Sequence, residues 1–147
     1  MAFVTEASTL LPSDANGGVA DVVVKDTQTK TVSLAAADNS GTQIGSESRL
    51  PSISADGRRV AFETVSGNLY SGDADDGSLD IFTKDMLTGA VYFMPINSSG
   101  VKGNANSAAA SISGDGSKVA FASLATNLVS GDTNAFSDVF SASPLVT

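Results

Sequence analysis

The stretch VAFETVSGNLYSGD, residues 60–73, recurs as VAFASLATNLVSGD at 119–132 and as MAFVTEASTLLPSD at 1–14. Phe3, Phe62 and Phe121 are spaced by 59 residues, and Asp14, Asp73 and Asp132 keep the same spacing. The match continues between these landmarks. VVVKDTQTKTVSL (22–34) aligns with IFTKDMLTGAVYF (81–93), DNSG (38–41) with NSSG (97–100), and PSISADGRRVAF (51–62) with ASISGDGSKVAF (110–121). A fixed period of this length marks one supersecondary unit copied along the chain. The copies divide the sequence into 1–59, a partial blade followed by the first strand and linker of the next; 60–118, a second repeat; and 119–147, a truncated third.

Within a copy, short β-branched and aromatic runs alternate with Gly, Asp, Asn and Ser clusters, and no window sustains a 3.6-residue period. The chain therefore reads as all-β. Four strands per copy are predicted: SIS before Asp56-Gly57, RRVAFET after it, LDIFTKD beyond the acidic loop, and AVYFMPI beyond Thr88-Gly89. Asp-Gly suits a two-residue type I′ hairpin turn, and Asp115-Gly116 repeats it. Four antiparallel strands per unit of this size is the arithmetic of a β-propeller blade, whose sheet is covered on both faces by its neighbours. Phe3, Phe62, Phe121, Tyr92 and Phe93 fall at strand spacing and are expected in the core.

These residues carry a resemblance. PSISADGRRVAF, ASISGDGSKVAF and the loop-strand units NLYSGDADDGSLDIFTKD and NLVSGDTNAFSDVF resemble the TolB-type propeller repeats, in the long-loop version found in secreted bacterial multi-repeat proteins. The resemblance spans essentially the whole chain. It implies WD-like blades, a binding role through loop surfaces, and an extracellular or periplasmic location.

At this period 147 residues make about two and a half blades, whereas a ring takes roughly four to eight. The ring does not close within one chain. Either the chain is a piece of a longer propeller, or copies join through incomplete blades into a ring, filament or surface layer, as bare strand edges readily do.

Composition narrows the chemistry. A net charge of −8 repels phosphate backbones and anionic lipid, so nucleic acid is not an expected partner, and no apolar run is long enough for membrane insertion. The N-terminus has no basic leader and carries Glu6 and Pro12 where a signal peptide would build its apolar run, so no signal peptide is read there. With no Cys and no His, thiolate and imidazole catalysis and most zinc or copper sites are excluded. Hard oxygen ligands remain, and calcium is the cation they suit.

The candidate sites are three aligned loops: DANGGVAD (14–21), DADDGSLD (73–80) and DTNAFSD (132–138). Each offers oxygens at its first and third positions and a carboxylate just before the next strand. The candidate ligands are Asp14, Asn16 and Asp21; Asp73, Asp75, Asp76 and Asp80; and Asp132, Asn134 and Asp138. The middle loop is the strongest, because four crowded carboxylates repel one another without a counter-ion. Turn chemistry explains the same residues, since Asp and Asn bond their own backbone in long loops. Arg58, Arg59 and Lys118 are too few for a basic patch, and Lys25 and Lys84 read as solvated charges or edge protection. An acidic cluster recurring before a strand in every copy does not suit a single active site, so the expectation is a non-catalytic module with a protein partner or self-association.

Overall fold

Apolar residues at alternating positions, punctuated by Gly-containing turns, give ten strands and no helix in the computed structural model, which describes residues 1–69 and 77–144. β1 (Ala2–Thr5), β2 (Asp21–Lys25) and β3 (Val32–Leu34) form the first sheet in that order. β4 (Ser48–Ile53), β5 (Arg59–Thr64), β6 (Asp80–Asp85) and β7 (Val91–Phe93) form the second. β8 (Ser107–Ile112), β9 (Val119–Ser123) and β10 (Asp138–Ala142) form the third. All neighbouring strands are antiparallel. The chain is therefore all-β, with one four-stranded blade flanked by two three-stranded ones, and the blades do not close within it. Among the described residues, blade one has no counterpart of β4 and blade three has no counterpart of β7.

The middle blade packs through both faces. Phe62 pairs with Phe82 and Phe82 with Phe93 across β5, β6 and β7, their rings 6.2 and 5.2 Å apart. This face meets Val22, Ala35, Ala36 and Ile44 of blade one and its linker. The opposite face, with Ala61, Ile81 and Met94, meets Val119, Phe121, Ala125 and Leu128. Phe62, Phe121 and Phe93 are buried as the spacing required, while Phe3 and Tyr92 are half-buried at the rim.

The Asp-Gly hairpins differ from the expected turn. A type I′ turn needs positive φ at both central residues, but of the pair only Gly57 (φ 74°) and, in the second copy, only Gly116 (φ 70°) have it. The cause is a local clasp. Asp56 accepts from the Ser54 hydroxyl and the Arg58 amide while Gly57 N–H bonds Ser54 O, so the loop is longer than two residues. Ser113, Asp115 and Ser117 repeat it, and these bonds, led by the Ser113 hydroxyl, lower the Asp115 pKa to about 2.

Main-chain bonds stitch blade to blade. Ser48 N–H bonds Ala20 O at 2.8 Å, and Ser107 N–H bonds Leu79 O at 2.7 Å, the same bond one period later. The inner strands β4 and β8 also bulge alike, with positive φ at Leu50 and Ala109. Glu63, 1% exposed on β5, accepts from the Ala109 amide at that bulge and faces Arg49 Nε at 3.5 Å. Truncating Phe82 to Ala, which opens a cavity where blades one and two meet, is expected to cost about 3–5 kcal/mol. Urea unfolding followed by circular dichroism checks it.

Candidate functional site

The three acidic loops all lead into the third strand of their blade, or the strand equivalent to it. In blade one Asp14 accepts from the Asn16 and Gly17 amides and so shapes the turn. The Asn16 side-chain amide donates to Asp21 Oδ1 at 3.2 Å and to Ile44 O at 2.9 Å. Gln43, from the linker that follows β3, donates to Asp14 Oδ1 at 3.1 Å and to Asp21 Oδ2 at 2.7 Å. The structure thus brings Asp14, Asn16 and Asp21 together and adds Gln43 as the residue that closes the cluster. Asp21 is 2% exposed, and burial, with Asp14 nearby, raises its pKa against the lowering effect of its two amide donors. Asn16 Oδ1 is buried without a hydrogen-bond partner.

In blade two the corresponding carboxylate is Asp80, 1% exposed at the start of β6. Lys102 Nζ lies 3.0 Å from its Oδ2. Lys102 is the repeat equivalent of Gln43, and both sit at the isolated bridge that closes the linker hairpin, Ala37 with Gln43 and Ile96 with Lys102. An ammonium therefore stands where blade one places an amide. Asp73, Asp75 and Asp76 lie outside the described residues. In blade three Asn134 N–H bonds Asp132 Oδ1 at 3.4 Å and its side chain reaches Asp138 Oδ2 at 3.3 Å, so Asp132, Asn134 and Asp138 repeat the blade-one cluster at a more exposed position. Among the described residues no three acidic side chains converge closely enough to hold a metal by themselves.

Two other charges on β6 are also tied down. Lys84, expected in solvent, is 5% exposed; its ammonium donates to Ala37 O at 3.0 Å and Asp38 O at 2.7 Å in the blade-one linker. Burial lowers its pKa, partly offset by Asp38. Asp85 is 1% exposed and receives Arg58 Nε at 3.0 Å together with the Leu87 and Thr88 amides. Burial pushes the Asp85 pKa up, but these donors outweigh it and hold the group below its ordinary value. Gln43 and Lys102 escaped the loop alignment because they lie outside the loops, although their spacing by one period is visible in the sequence.

Replacing Lys102 by Met removes the ammonium that Asp80 faces and is expected to cost roughly 3 kcal/mol at neutral pH, measured by chemical unfolding. For Asp85 the depressed folded pKa means that its contribution is present above about pH 4, the unfolded value, and is lost as pH falls through the folded one. The stability gap between the native chain and Asp85→Asn is thus expected to narrow on acidification. Neither family models nor curated proteins match this chain, so its role must be read from this geometry.

Proposed function

We propose that the chain is a non-catalytic binding or structural module of TolB-like propeller type, working outside the cytoplasm of a bacterium and stabilised by calcium. One observation carries the non-catalytic reading: Asp21, Asp80 and Asp85, the buried carboxylates of the described residues at the loops and β6, each face an amide, ammonium or guanidinium that ties a loop, strand or linker in place. Such groups hold a scaffold together, and a scaffold of blades binds through its loops and edges. The extracellular location rests on the resemblance of the repeats.

Calcium is supported by the blade-one cluster, where the Asp14 and Asp21 carboxylates share one amide donor and a buried Asn16 oxygen has no partner. A hard cation would satisfy all three. It would enter by displacing the Gln43 amide, and at Asp80 by displacing Lys102. Calcium at about millimolar concentration, the range of extracellular modules, is expected to raise the melting temperature, and more so in Lys102→Gln; the same melting temperature with calcium and with chelator in both proteins refutes the calcium part.

A second reading is a self-assembling subunit. It is favoured by exposed apolar side chains on β1 and β10, which are edge strands among the described residues: Val4 at 41% and Val139 at 79% exposure. Joining of copies into a ring, filament or surface layer is expected to give a mass by light scattering that grows with concentration, and Val139→Lys is expected to lower it; a constant monomer mass counts against assembly.

A further inference from the structure

Of the eight asparagines in the sequence, Asn16 alone is followed by glycine. Asparagine is a thermally labile side chain, and a following glycine leaves the next main-chain nitrogen unscreened, because it has no Cβ. Gly17 lies exposed in the loop between β1 and β2 with φ 46°, and beyond its chain neighbours no heavy atom comes within 4 Å of where a Cβ would stand. Water therefore has access to this peptide bond.

The groups that would react are nevertheless held. The Gly17 N–H donates to Asp14 Oδ1 at 3.1 Å. The Asn16 side-chain amide donates to Asp21 Oδ1 at 3.2 Å and to Ile44 O at 2.9 Å. Gln43 closes the turn over them: its carboxamide oxygen accepts from the Ala15 amide at 2.6 Å, while its nitrogen donates to Asp14 and Asp21. Attack of the Gly17 nitrogen on the Asn16 carboxamide needs that nitrogen stripped of its proton and the carboxamide swung onto it, so each of these bonds opposes the reaction while the cluster is closed.

We propose that Asn16 is a self-modification site, deamidated at a rate set by local opening of the blade-one cluster. In the open loop the Gly17 main-chain nitrogen, its proton lost to water, attacks Asn16 Cγ; the Cγ–Nδ2 bond breaks, and ammonia leaves with a proton regained from water. A water molecule then opens the cyclic imide at either carbonyl and leaves aspartate or isoaspartate at position 16. The repeats show the consequence. Position 16 is equivalent to Asp75, and the middle blade supplies Lys102 where blade one has Gln43. The new carboxylate faces the Asp21 carboxylate and the Ile44 carbonyl, both acceptors, with the neutral amide of Gln43 as the donor between them. Like charges held this close repel. A modified blade one therefore opens more readily than the native one.

The test incubates the whole chain at mildly alkaline pH, folded or unfolded in urea, and follows the tryptic peptide ending at Lys25 by mass and by enzymatic methylation of isoaspartate. In urea Asn16 is expected to react ahead of every other asparagine, and Gly17→Ala to slow it. In the folded chain the reaction is expected to be about tenfold or more slower, because only the opened fraction reacts. Gln43→Ala is expected to speed it in the folded chain alone; should that variant fold poorly, the native chain in sub-denaturing urea decides, its rate rising before global unfolding. Equal rates folded and unfolded, faster reaction at Asn39, Asn97 or Asn106, or an Asn16 that stays unmodified overturns the proposal. Asn16→Asp, the mimic of one product, is expected to melt below the native chain in chelator, and an unchanged melting temperature contradicts the repulsion. Its recovery in calcium rests on the calcium reading: a mimic that melts low with and without calcium counts against that reading and supports the repulsion, so the two failures are distinguishable.

Discussion

Strand β6 must be covered on both faces, and the rest of the structure follows from that. Its six residues, DIFTKD, are all buried although three of them are charged. Phe82 turns toward blade one and Ile81 toward blade three, so neither neighbour can be removed without exposing one side of the strand. Burying a charge costs several kcal/mol unless it is paired, and each charge on β6 is met by a group from elsewhere in the chain. Asp80 faces Lys102 of the following linker, Lys84 caps two carbonyls of the preceding linker, and Asp85 holds Arg58 and its own turn. The apolar residues bring the blades together, and the charged ones fix where the linkers cross.

This division explains why the same loop carries different chemistry in different copies. The strand-leading carboxylate is constant, as Asp21, Asp80 and Asp138, while the donor opposite it changes from Gln43 to Lys102 with the linker that supplies it. An ammonium neutralises its carboxylate and an amide does not. At Asp21, which faces amides, burial raises the pKa against the lowering effect of those donors. The paired polar groups of the interior hold strands, turns and linkers in place.

Much of this was legible in the sequence. The 59-residue spacing of Phe3, Phe62 and Phe121 fixed the repeat, the strand count and the incomplete terminal blades. The alignment of the acidic loops set Asp14 beside Asn16 and Asp21, and Asp132 beside Asn134 and Asp138, and in each loop these residues are hydrogen-bonded to one another. What escaped were contacts between copies. Lys84 read as a solvated charge because a strand pattern does not reveal that a neighbouring linker places two carbonyls over it. Gln43 and Lys102 stand more than twenty residues from the carboxylates they serve, and Glu63 reaches a bulge in β8 that no local signal announces. The turn type was misjudged because Asp56 bonds its own loop and keeps positive φ for Gly57 alone.

The central claim is that the middle blade, the one with all four strands, depends on both incomplete neighbours. Residues 46–104 expressed alone contain every strand of that blade and the Lys102 latch, yet both faces of β6 would lie open to water. Circular dichroism and amide dispersion in a heteronuclear spectrum measure the outcome directly. An unfolded or molten segment is the predicted result, and a cooperatively melting blade with dispersed amides would contradict the account.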